Sequence, residues 1–187
     1  MQVRPKQDPA AHDACLRGVA FEWRSLASSA DVPRHAAKLY AEATRIDPHF
    51  ALAWARLAIG KSYMYFNFID RTPTQLSEIK QAADTALKLQ PELGEGHLAV
   101  GHCRSHCLRD FDGALREFEP DSSSLLAAKA DAWLEKGKLD EAGQLLEGVT
   151  LYTADGGALR SRIKLLWFRR DFAGAIAVLE QALTEPK

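Results

Sequence analysis

The residues best suited to chemistry stand together in Gly96-His97-Leu98-Ala99-Val100-Gly101-His102-Cys103-Arg104-Ser105-His106-Cys107. His102 and His106 are four apart, and so are Cys103 and Cys107. On a helix that spacing brings each pair onto one face, where two side chains can hold one metal ion. Four ligands from so short a helix do not surround an ion tetrahedrally, and no second Cys/His cluster supplies the missing corners. The expectation is therefore helix packing: Cys103 and Cys107 behave as small hydrophobes and His102 and His106 face an open groove. No cofactor is expected. A phosphate loop ending in Lys-Ser/Thr, Gly-x-Gly-x-x-Gly, Gly-x-Ser-x-Gly and His-Glu-x-x-His are all absent from the sequence, so an enzyme is not expected either.

The elements that must position these residues are helices. Ala36, Leu39, Tyr40, Ala43 and Ile46 recur at spacings of three and four, which puts one apolar stripe on a helix, and alternating strand patterns are lacking. Breakers at Asp47-Pro48, Thr72-Pro73, Gln90-Pro91, Glu119-Pro120 and Asp155-Gly156-Gly157 leave room for one or two helices between them, about ten in all. Thr72-Pro73-Thr74-Gln75 reads as a helix start, with Thr72 as cap, Pro73 in the first turn and Gln75 closing a capping box.

Composition narrows the function classes. The 187 residues carry 24 Lys+Arg against 25 Asp+Glu, a net charge of -1 that lacks the footprint of a nucleic-acid binder. Hydrophobic residues at 47% and charged residues at 26% are the balance of a folded protein. Met1 to Asp13 holds no apolar run long enough for a signal-peptide core or a membrane span, and three cysteines are too few for a disulfide scaffold. A cytoplasmic chain with reduced thiols and no membrane partner is expected.

Self-similarity near 34 residues marks stacked helix pairs that bury a core only against their neighbours. Ile46-Asp47-Pro48 and Leu89-Gln90-Pro91 end two such units 43 residues apart, one unit plus nine residues inserted around Phe66 to Pro73. The first unit has a helix around Leu16 to Leu26, then Ala36, Tyr40, Ala43 and Pro48. The second has Trp54, Leu57, Ala58, Ala86 and Pro91, and the third Val100-Gly101, Phe111, Ala114 and Phe118. The fourth has Leu126, Ala130, Trp133, Gly137, Leu139, Ala142 and Leu146, and the fifth Leu159, Ile163, Leu166, Phe172, Ala175, Leu179 and Ala182. Gly or Ala lets helices approach, while each buried large side chain contributes roughly 1.5–3 kcal/mol.

On these positions the chain resembles the tetratricopeptide repeat (TPR) family. The resemblance implies an all-α, right-handed superhelix (solenoid) of about five antiparallel pairs, spanning 10–48, 50–91, 94–120, 123–155 and 156–187 within one domain. Lys61 and Arg104 stand where the family puts an aromatic and Lys129 where it puts Leu. The Ala114 to Ala142 spacing of 28 shortens the third pair's second helix by about six residues. The stretches AHDACLRGVAFEW, DRTPTQLSEIKQAADTALKLQP and GHLAVGHCRSHCLRDFDGALREFE are similar to TPR tails of bacterial signalling proteins that carry nucleotide cyclase, protein kinase or winged-helix modules. That implies a regulatory or scaffolding role.

Repeat register then places Glu22, Trp23, Ile59, Tyr63, His102, His106, Asp131, Glu135, Lys164, Trp167 and Phe168 on the groove side of the first helices. Rigid rings there suit a protein or peptide partner. The positions at which some TPR proteins clamp a chaperone's terminal carboxylate offer Ala, Ile, Leu, His and Asp here, which disfavours that ligand. Arg169-Arg170 reads as complementing a helix dipole. Ile176, Leu179 and Leu183 form an edge able to pair with another copy, so a homo-oligomer is one alternative and a metal-binding helix at His102, Cys103, His106 and Cys107 the other.

Overall fold

The computed structural model describes residues 8–24, 31–118, 123–147 and 157–184. Ten α-helices and one π-helical turn run through them, and no strand occurs among the described residues. They are α1 (Pro9–Arg24), α2 (Asp31–Ile46), α3 (Ala51–Phe66), α4 (Pro73–Leu89), α5 (Gly94–His102), the π turn (Cys103–Cys107), α6 (Phe111–Glu117), α7 (Ser123–Glu135), α8 (Leu139–Glu147), α9 (Gly157–Phe168) and α10 (Phe172–Thr184). Packing divides the chain into two compact units, Met1–Arg109 and Asp110–Lys187. The division falls inside the stretch read as the third pair: α5 and the π turn belong to the first unit and α6 to the second.

In the first unit α1 packs on α2, α2 on α3, α3 on both α4 and α5, and α4 on α5. A first helix that touches its own partner and the first helix of the next pair is the order of an all-α helical repeat. Alanine fills most of this interior, at 36, 37, 43, 53, 55, 58, 82, 83, 86 and 99, with Tyr40 and Phe50 as its largest members. Gly18 is required by that packing, because a Cβ there would lie 2.6 Å from Cε1 of Tyr40. The α2–α3 turn is closed by Trp54, whose indole Nε1 donates to the Pro48 carbonyl at 2.9 Å.

The nine inserted residues lengthen α3 and form a tied loop. Asn67 Nδ2 donates to the Tyr63 carbonyl at 2.9 Å, the Ile69 amide to Met64 at 2.9 Å, and Arg71 Nε to Tyr65 at 2.9 Å. The Arg71 guanidinium lies 3.8 Å from the Phe68 ring centroid and 5.2 Å from that of Tyr65, a cation–π stack. Thr72 caps α4 by accepting from the Gln75 amide at 3.2 Å, with Pro73 in the first turn. The capping box differs from expectation. Asp70 rather than Gln75 accepts from the Thr72 amide, at 3.0 Å, and also from its hydroxyl at 2.9 Å, and these two bonds hold the Asp70 carboxyl below its ordinary value. Gln75 is instead buried. Lys61, at a position where an aromatic is usual, pairs with Glu78 and so ties α3 to α4.

In the second unit α6 packs on α7, α7 on α8 and α9, α8 on α9, and α9 on α10. Helix α6 has only seven residues, the shortening that the 28-residue spacing predicts. Gly137 turns the chain between α7 and α8 at φ +75°, a left-handed conformation that costs glycine nothing. Ala130, Leu134, Ala142, Leu146 and Leu165 form the core, against which Trp133, Leu139 and Leu145 are half-buried. Lys138 lies 4.5 Å from the Trp133 ring centroid and Lys136 pairs with Asp112, so both lysines at this turn are tied down.

Candidate functional site

Three features gather the groove residues, two in the first unit and one in the second. The side chain of Trp23 lies outside the described residues. Ile59 is half-buried against the first unit's core. Tyr63, one turn along α3, stands 51% exposed.

The second feature lies where α3 meets α5 and the π turn. His102 and His106 stack at 4.6 Å between ring centroids with 30° between planes, and Phe66 meets His106 at 4.7 Å and 33°. Phe66 lies outside the set that repeat register selects. It completes an i, i+4, i+7 stripe with Ile59 and Tyr63, a helical signal hidden by its place at the start of the insertion. Cys103 is buried and Cys107 half-buried. The Cys107 thiol donates to Cys103, which holds Cys103 below the ordinary thiol range and, with burial, pushes Cys107 up. The four-ligand arrangement does not assemble: among the described residues, no three His, Cys, Asp or Glu side chains are grouped so as to hold a metal ion. Each four-apart pair does meet, His102 on His106 and Cys107 on Cys103, although the segment closes as a π turn. Its hydrogen bond from the Leu108 amide back to Cys103, at 3.2 Å, spans five residues, so one more residue is fitted into the turn than an α-helix allows.

The third feature spans α7, α9 and the start of α10. Lys164 Nζ meets Glu135 Oε1 at 2.7 Å, a half-buried ion pair between the two first helices. Beside it, burial raises the Asp131 carboxyl above its ordinary value, opposed by the Lys164 charge and by the Ser161 hydroxyl. Ser161 has one proton to give and also lies within reach of the Gly157 carbonyl at 3.1 Å and the Ala127 carbonyl at 3.2 Å. Asp131 Oδ1 is left buried without a hydrogen-bond partner. A carboxylate kept at such a cost is a functional candidate. Farther along α9, Trp167 is 64% exposed and Phe168 47%.

The sign of the Asp131 shift sets its pH dependence. An acid with a raised folded-state pKa favours folding most fully below its unfolded value, 3.8, and that contribution is lost as pH rises through the raised value. Asp131→Asn, which removes the charge but keeps the shape, is therefore expected to gain stability relative to the native chain as pH rises above 3.8. Urea unfolding across that range checks it, and a constant difference at every pH would contradict the assignment.

No helix among the described residues is long and apolar enough to cross a membrane. No family model and no curated protein matches the chain. Among solved structures, the chain is similar to a thermophilic TPR protein of Thermus thermophilus, at 18% identity over 90% of this chain and 100% of that one, with a TM-score of 0.44. The helical-repeat assignment rests on the pairing order of the helices themselves.

Proposed function

We propose that this helical repeat is a non-catalytic protein-interaction module that binds a peptide or partner domain along the first helices of its pairs. The observation that carries this reading is the distribution of large side chains. Alanine occupies most buried apolar positions among the described residues, while Tyr63, Trp167 and Phe168 face solvent. Exposed aromatic rings are costly in water and supply much of the energy of protein interfaces when covered. Each unit carries its own candidate surface, Trp23, Ile59, Tyr63, His102 and His106 in the first and Asp131, Lys164, Trp167 and Phe168 in the second. A regulatory or scaffolding role in a cytoplasmic signalling protein is supported by the loop resemblance around 70–73 and 108–111.

Affinity capture from source-cell lysate tests the proposal, comparing the native chain with a Tyr63→Ala/Trp167→Ala variant. A partner retained by the native chain and lost by the variant, then rebound from purified components, is the expected result. Identical retention by both forms would remove the aromatic surface from the proposal. Self-association is a second reading, favoured by exposed Phe172, Ile176, Leu179 and Leu183 along α10. Sedimentation at rising protein concentration separates the two, since a strict monomer throughout eliminates the homo-oligomer.

A further inference from the structure

At the α9–α10 turn a hollow of about 370 Å³ opens to solvent, lined by Trp167, Phe168, Arg170 and Phe172. Its size is near the lower end of ligand pockets, roughly 300–1,000 Å³, so it accommodates one or two side chains rather than a folded body. Trp167 and Phe172 meet edge to face, 5.2 Å between centroids at 74°, and Phe172 is 49% exposed. Edge-to-face contact is a favoured arrangement for two rings, so the pair holds its shape without a ligand.

The adjacent arginines are put to different uses. Arg169 Nη2 turns to α8, bonding Asp140 Oδ1 at 2.9 Å and the Leu139 carbonyl at 3.3 Å. Arg170 adopts φ +58°, a left-handed backbone conformation uncommon for a residue with a side chain, and lines the hollow instead. Among the described residues it makes no ion pair, whereas Arg169 and Lys164 are answered by Asp140 and Glu135. Residues 157–170 contain five cationic side chains and no acidic one, and the next residue, Asp171, turns its carboxylate to the start of α10, accepting from the Gly174 amide at 2.9 Å. The aromatic hollow thus carries at its rim a guanidinium with no ion pair among the described residues, and its complement is an apolar group beside a carboxylate.

We propose that this hollow seats an aromatic or aliphatic side chain of a short acidic peptide segment, with a neighbouring carboxylate of that segment on Arg170. The proposal rests on the interaction-module reading and names the partner chemistry of its second-unit surface. One guanidinium is too little for nucleic acid, whose binding depends on neutralising several phosphates, or for stable attachment to an anionic bilayer.

Selection of a phage-displayed random dodecapeptide library on the full chain tests it, followed by fluorescence anisotropy of the enriched peptides. Enrichment of sequences with an aromatic or Leu within two residues of Asp or Glu is expected. Trp167→Ala is expected to weaken them about thirtyfold, as loss of a central anchor does. Arg170→Glu is expected to weaken them roughly tenfold at low salt and less at high salt. Both residues are exposed, and circular dichroism confirms that each variant is folded. Enrichment of basic peptides, no enrichment, or binding unaffected by either substitution overturns the proposal. So does tighter binding to oligothymidylate or to phosphatidylglycerol vesicles than to the peptides. Peptides lost with Tyr63→Ala but not with Trp167→Ala or Arg170→Glu overturn this seat while leaving the interaction-module reading intact.

Discussion

Tyr40→Ala is expected to destabilise the first unit by roughly 3–5 kcal/mol, the cost of deleting a fully buried ring whose space alanine cannot fill. Tyr40 is 0% exposed and meets Gly18 across the α1–α2 contact. Its neighbours are largely alanines, which have no side-chain rotamers with which to fill the void. Typical domain stabilities are about 5–15 kcal/mol, so this one substitution removes a large share. The urea midpoint followed by circular dichroism reads the loss. Tyr40→Phe keeps the ring and is expected to cost less than about 1 kcal/mol, because the buried hydroxyl it removes has no hydrogen-bond partner among the described residues. Equal losses for the two variants would show that the hydroxyl beside Glu22, rather than the ring, sustains the contact.

Leu165→Ala is expected to cost roughly 2–5 kcal/mol in the second unit, whereas Trp167→Ala, two residues farther along α9, is expected to cost no more than about 1.5 kcal/mol, the scale of its edge-to-face contact with Phe172. Leu165 is fully buried among Ala130, Leu134, Ala142 and Leu146, and Trp167 faces solvent. Guanidinium unfolding of the two variants distinguishes the inner face of α9 from its outer one. A large loss on Trp167→Ala would mean that the tryptophan is a packing residue, and the case for its role in binding would fall with it.

The helix pairs were legible because their signals are local. Thr72-Pro73 marks a start, Gly137 a turn, and Ala36, Tyr40 and Ala43 a buried stripe, each readable within one or two turns of chain. The short α6 was legible from spacing alone. The π turn was not, since His102 to Cys107 has the same residue spacing whether the backbone closes every four residues or every five. Packing of α5 on α3 and α4 accompanies the wider turn. Phe66 was obscured by the insertion just after it. The Arg169-Arg170 doublet reads in sequence as one dipole-complementing pair, yet the left-handed backbone at Arg170 and the carboxylate of Asp140, nearly thirty residues away, separate their environments. The buried Asp131 was placed on the groove side by register, but its orphaned oxygen depends on how Ser161 distributes a single proton.

The π turn also has a consequence for descent. Between Cys103 and Leu108 the chain carries one residue more than a regular α-helix uses, and the surplus is stored inside a packed element instead of in a loop. An insertion within a helix ordinarily rotates every later side chain by about 100°, carrying core residues toward water. Here the wide turn is the last of its helix, which ends at Leu108, so no later core position of that helix is rotated. Relatives one residue shorter at this point can therefore keep α5 packed on α3 and α4, with the π turn closed to an α turn.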